Sequence, residues 1–370
     1  MGYIMGDSAV YLADNAYYIM FHTYAPGIGW VRIGDKDYHD HVCGMVRSED
    51  TVHKIKVPAH VLDEVGAYTI NFRKIIDRCP YFPKSEEEVE SRDYTFRSPK
   101  GREKTNLYLL GDVHDRHQPG VDVGSYFGDD LDILVLLGDT SENGTRDGAM
   151  DAQRIAADIT RGEVATLYVH GNHEARGRFS TELRHYVGVG DVFHYTFHTD
   201  NIYGIVLDAG EDKFDQSREY GGLAVFDEYR REQIAFLDEV IAKGEYKNYE
   251  HVLVFLHIPL IQKRNEPMKD IYYEWIKRLN HIAPEVMLCA HEHVVQFIEP
   301  GSDFFGMKQE YPVVAVSVHE GEWVDDMRCR LLDLAGMAMT VTKDKLDFVV
   351  TDMEHKERER YSIDLTGRNP

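Results

Sequence analysis

Cysteine is scarce in this sequence. The chain holds four in 370 residues, Cys43, Cys79, Cys289 and Cys329, and no Cys-x-x-Cys pair. This excludes the paired spacing of a structural zinc module and leaves reduced, structural thiols as the reading. A Cys43–Cys79 bridge has no support in the spacing. Basic residues are also few: 41 Lys and Arg stand against 64 Asp and Glu, a formal net charge of −23. Such a chain repels phosphate backbones, so nucleic acid is not an expected partner, although a local cationic site such as bound metal would still attract a phosphate. No stretch approaches the eighteen or more apolar residues of a membrane span, so no membrane association is expected. The N-terminus, MGYIMGDSAVYLADN, lacks the basic region and apolar core of a secretory signal, and a cytoplasmic location is the expectation.

What is present is apolar content of 43%, ample for two cores in a chain of this length. Residues 8–97 carry short β-rich runs (AVYLA, AYYIMFHTY, GWVRIG, VHKIKV, AYTINFRKI, DYTFRS) punctuated by Gly, Pro and Asp. No helical period stands out there beyond KSEEEVES, and the pattern predicts an antiparallel β-sandwich over residues 1–99. SPKGREKTN (98–106) reads as a linker. The texture then changes over residues 105–370. Apolar strands (106–112, 132–139, 165–172, 202–210, 251–259, 285–293) alternate with amphipathic helices at 146–160, 228–244 and 270–280. In the second helix Ile234, Leu237, Val240 and Ile241 share one face by helical spacing. Strands buried on both faces and separated by helices make an α/β layered domain. After residue 310 the pattern closes with further strands.

The polar residues fall at the strand ends. Strand 106–112 delivers Asp112 and His114, strand 132–139 delivers Asp139, and strand 165–172 delivers Asn172 and His173. The last two deliver His257, then His291 and His293, while Asp208 ends the strand before them. Ligands of open α/β sheets bind outside the carboxyl ends of the strands. A single Asp or Asn there is an ordinary turn residue. Six such endings, four with histidine, point to a site. Two Asp, one Asn and four His mix hard oxygen and borderline nitrogen donors, which suits Mn²⁺, Fe or Zn²⁺. Seven side chains exceed what one ion takes from a protein, so two divalent metals sharing a carboxylate are expected.

These residues stand as GDVH (111–114), GDTS (138–141), GNHE (171–174), LHIP (256–259) and AHEH (290–293). In order and spacing they resemble the calcineurin-like metallophosphoesterase superfamily across residues 106–320. The preceding β-rich segment is similar to the fibronectin type III-like domain that precedes the catalytic domain of purple acid phosphatases. The resemblance implies an α/β, four-layer β-sandwich flanked by helices, preceded by a small all-β domain. It implies that Asp112, His114 and His293 hold one metal, that Asn172, His257 and His291 hold the second, and that Asp139 bridges them. His173 would face the substrate phosphate, stabilising charge or protonating the leaving oxygen. Two positions depart from the pattern: Ala290 stands where Gly is usual, and Glu142 where purple acid phosphatases place a metal-binding Tyr.

The expected activity is hydrolysis of a phosphomonoester or phosphodiester by a hydroxide activated at a dinuclear centre. A non-catalytic, metal-containing phosphate- or partner-binding module is the alternative, with the N-terminal domain docking a protein. Glu174 is expected to orient His173. His170 reads as a core or supporting histidine, Arg116 as a loop residue, YYEW (272–275) as helix packing and DYHDHV (37–42) as a surface loop. The spacing gives His319 no assigned role.

Overall fold

Residues 2–261, 263–304, 306–320 and 333–366 are described by the computed structural model. Cys329 and the side chain of His319 lie outside what is described.

Two β-sheets stacked face to face carry the molecule. The larger has ten strands. Nine run in the order Glu357–Asp364, Lys345–Asp352, Asp333–Thr342, Lys104–Leu110, Ile133–Leu137, Ala165–Val169, Ile4–Ala13, Ala16–Thr23 and Val52–Pro58. The tenth, Val318–Glu320, pairs with Asp333–Thr342. The smaller sheet runs Tyr195–His198, Ile202–Val206, His251–Phe255, Val286–Cys289, Val313–Val316 and Val295–Ile298. Alternation along its strands explains the layering. Leu253 and Phe255 face the larger sheet and join Leu107, Val135 and Leu167 in one core. Val252 and Val254 face the opposite way, into a second core. A strand buried on both faces needs apolar residues at every position, which is what HVLVF supplies after its first residue.

Five α-helices complete the described chain: α1 (Ala59–Val65), α2 (His117–Gly124), α3 (Arg146–Thr160), α4 (Phe226–Lys243) and α5 (Lys269–Ile282). Helices α2 and α3 cover the outer face of the larger sheet. On the other side, α4 buries Leu237 and Val240 and half-buries Ile234 and Ile241 against the second core, beside Tyr272 and Trp275 of α5. The result is a four-layer helix–sheet–sheet–helix sandwich, a mixed α/β fold with an added all-β portion. None of the described helices is long and apolar enough to cross a membrane.

The added portion is built differently from a free-standing sandwich over 1–99. One of its sheets (Glu90–Thr95, Ala67–Asp77, Gly27–Ile33, Lys36–His39, with Lys84–Ser85 on its side) is its own. The facing layer is the end of the larger sheet. Strand Ile4–Ala13 pairs in parallel with Ala165–Val169, with Val10 opposite Ala165 and Tyr11 opposite Thr166. The chain leaves the β-rich segment near residue 99, but the hydrogen-bonded sheet runs straight across that point. The acidic KSEEEVES forms no helix. Helix α1 forms instead from AHVLDEV, opened by Pro58 and closed by Gly66 in the left-handed region (φ 65°). Cys43, Cys79 and Cys289 are all free thiols.

Candidate metal centre

The strand ends meet at one edge of the sandwich. The loops after Lys104–Leu110 and Ile133–Leu137 are tied together by their backbones: Asp112 N–H donates to Gly138 O (3.0 Å) and His114 N–H to Asp139 O (3.0 Å). The backbone there is unusual. Asp112, His114, Asp139, His291 and His293 all have positive φ, between 50° and 72°. Non-glycine residues pay a steric penalty in that region, and such residues cluster where geometry is over-determined by function.

All seven residues singled out by motif converge. The donor atoms of Asp112, His114 and His293 lie within 4.8 Å of one another, as do those of Asp139, His257 and His291. His293 Nε2 is 3.3 Å from Asp112 Oδ1, and His257 Nε2 is 3.2 Å from Asp139 Oδ2 and 4.0 Å from Asp112 Oδ1. Asn172 Oδ1 sits 3.0 Å from His291 Nδ1, placing it with the second group. His257 Nδ1 donates to Leu137 O (2.8 Å), which fixes the ring and turns Nε2 toward the carboxylates. Asp112 Oδ1 and His257 Nε2 are buried and make no hydrogen bond among the described residues.

The electrostatics run the same way. Burial raises Asp112 and Asp139, yet imidazoles beside them hold both carboxyls below their ordinary range. Burial lowers His257, yet Asp139 and Asp112 push it up to about 10. Two desolvated carboxylates thus draw positive charge to the point where the nitrogen donors converge. This donor set, whose buried Asp112 Oδ1 and His257 Nε2 are left without a well-formed hydrogen bond, fits divalent cations.

The surrounding residues correct part of the expected picture. Glu174 does not orient His173. Its buried carboxylate accepts from the N–H groups of Asp139 (3.0 Å), Ser141 (3.1 Å) and Gly171 (3.1 Å), pinning the two loops to each other. His173 is oriented by Glu142, whose carbonyl accepts from Nδ1 (2.8 Å). Its Nε2 is therefore an acceptor, and Arg176 Nη1 donates to it (2.8 Å). Gly171 is required by close approach: a Cβ there would lie 2.2 Å from Asp139 N and Oδ1. Ala290 is accommodated because its methyl faces Gly111, where a second Cβ would come within 2.6 Å.

Four side chains near the centre, Glu142, Asp212, Arg176 and Glu211, were given no role by the motif pattern. Glu142 groups with His114 and His173, its Oε2 3.1 Å from His114 Nδ1. Asp212 Oδ2 is 3.3 Å from His291 Nε2. Arg176 bridges His173 and the buried Glu211 (3.4 Å). Their signal was weak, since none ends a strand. His170 is buried beneath the site, its Nδ1 3.2 Å from Asp208 Oδ1. Arg116 points its guanidinium at the carbonyls of Val113 and Asp112. Tyr272 and Trp275 are core residues, and residues 37–42 form exposed strand edges.

A buried imidazole–carboxylate cluster at the carboxyl edge of a four-layer α/β sandwich has the donor set of a metal-dependent hydrolase. The chain matches the calcineurin-like phosphoesterase family over residues 101–295, just over half its length, and belongs to that family. Among solved structures, it is similar to purple acid phosphatase PPD1 from yellow lupin (Lupinus luteus) seeds. The TM-score is 0.64 at 10% identity, over 96% of this chain and 74% of that one. PhoD matches with a TM-score of 0.57 at 10% identity, over 97% and 90%. GAP50, described as the anchor in the inner membrane complex of Plasmodium, matches with 0.50 at 10%, over 71% and 89%. At these identities the likeness is one of fold. None of the curated proteins compared with the chain matches it.

Proposed function

We propose that the chain hydrolyses a phosphomonoester or phosphodiester at a dinuclear centre. Asp112, His114 and His293 would hold one divalent cation and Asn172, His257 and His291 the other, with Asp139 shared. When bound, two such cations supply Lewis acidity, lowering the pKa of water and neutralising charge that develops on the phosphate. The observation that carries this reading is the convergence of two three-residue donor groups around Asp112 and Asp139.

The chain's own residues have separable tasks. The backbone N–H of His173 donates to Asp139 Oδ1 (2.8 Å) and aims that carboxylate. Leu137 O holds the His257 ring with Nε2 inward. His173 and Arg176 line the edge where an ester would lie. The guanidinium presents positive charge to phosphate oxygens. His173 Nε2, released from Arg176 by the incoming ester, would take up a proton from solvent and pass it to the leaving oxygen.

The test is turnover of 4-nitrophenyl phosphate and bis(4-nitrophenyl) phosphate with Mn²⁺, after chelation, and in His173→Ala, together with metal analysis. Activity that disappears on chelation and returns with metal is expected. A second reading is a metal-containing binding module without turnover, favoured by the engagement of both His173 nitrogens. Metal bound at two per chain with neither ester hydrolysed would establish that reading and end the first.

A further inference from the structure

A cavity of about 1430 Å³ opens beside His173, between residues 175–193 and 208–232. It exceeds the roughly 300–1,000 Å³ that drug-sized ligands occupy. Two of its lining residues connect it to the proposed centre. Arg176 lines it and donates to His173 Nε2, while Glu211 lines it and its neighbour Asp212 meets His291. The cavity is therefore the extension of the reaction edge.

Part of its wall is apolar. Val192, Phe193, Leu223, Val225 and Phe226 all line it. Leu223 is 91% exposed and Val225 64%, unusual for large aliphatic residues on one short segment. Isolated exposed apolar side chains need no explanation, but a contiguous set rimming a cleft marks a binding surface. The charges at the rim do not select a second anion. Carboxylates outnumber cationic side chains along the lining, and Lys213 is held by Glu211 and Asp212.

Resting on the phosphoesterase reading, we infer that this cavity takes the organic group of the substrate, and that the substrate is a phosphate ester of a large, uncharged, apolar or aromatic alcohol. The phosphate lies at His173 and Arg176, and the alcohol moiety runs along Phe193 and under Leu223. Sugar phosphates and polyphosphates would leave those walls wet.

The experiment compares phenyl phosphate with 4-biphenylyl phosphate, whose phenols differ little in acidity, in the presence of Mn²⁺. The expected kcat/KM ratio favours the larger ester by about tenfold or more, the lower end of what one additional buried apolar group supplies. Leu223→Asp, at an exposed position, should collapse that ratio to within about twofold of unity. Phe82→Asp, on a remote exposed loop, should not change it. Equal kcat/KM for both esters in the wild type overturns the inference while leaving phosphoester hydrolysis intact. If neither ester is turned over, calorimetric binding of 4-biphenylylphosphonate and methylphosphonate decides instead. Tighter binding of the aryl compound that Leu223→Asp removes supports the cavity, and equal binding overturns it.

Discussion

Two clusters of buried imidazoles in this chain behave in opposite ways. His22 and His53 lie in the β-rich N-terminal portion, and His257 and His114 lie at the strand ends. Burial lowers the pKa of every one of these rings whose shift is resolved. At His22 little opposes it: Arg154, His53 and Arg146 add positive charge, and the ring falls to about 3. His53, stacked on Phe21 at 4.8 Å, falls to about 4. At His257 two buried carboxylates reverse the outcome. The difference teaches that a buried histidine is not in itself a site. The first pair serves as neutral, aromatic-like packing. The second cluster is a demand for cations, and the carboxylates create it.

Removing Asp139, the carboxylate proposed to be shared by the two cations, should break the contrast most completely. Asp139→Asn is expected to abolish turnover and to lower bound metal, read by metal analysis alongside the ester assay. His173→Ala should leave metal content intact and reduce kcat by ~10²–10⁴-fold, the range of general acid–base help. Retention of full kcat would remove His173 from the chemistry.

The other pole of the contrast has a pH signature. His53 has a folded pKa of about 4 against an ordinary 6.5. Between those values the unfolded chain binds more protons, so the stability due to neutral His53 is full above pH ~6.5 and fades as pH falls toward 4. The full change is about 3 kcal/mol. Urea midpoints measured from pH 7.5 to 4.5 should fall less steeply in His53→Gln than in the wild type. Parallel curves would mean the ring is solvated. A smaller effect is expected at Glu174→Gln, which keeps the shape but weakens acceptance from three N–H groups. Metal affinity should fall by about 10–100-fold, as for outer-shell partners generally, with a modest loss of stability.

The site was legible in the sequence because its donors sit at the ends of apolar strands, where chain order and Gly-Asp, Gly-Asn and His-x-His spacing mark them. Residues acting through backbone atoms were not. Glu142 orients His173 by a carbonyl, which any residue type supplies, so its side chain gave no hint of that task. Arg176 reaches His173 from a loop whose course depends on the Gly144 and Gly177 backbone contacts. Helix α3 was readable to the residue, since its Thr145 cap and apolar face are local signals. The parallel pairing of Ile4–Ala13 with Ala165–Val169 joins residues far apart in sequence, and no local pattern encodes it.

That pairing has a consequence for anyone trimming the chain. Ala165–Val169 runs directly into Gly171-Asn172-His173, and its far side is covered by Ile4–Ala13. Cutting at the apparent linker near residue 100 would strip that cover and leave an apolar strand with a row of unsatisfied amides, the usual template for aggregation. The N-terminal segment is thus a flank of the catalytic scaffold, and an excised C-terminal fragment should precipitate rather than work.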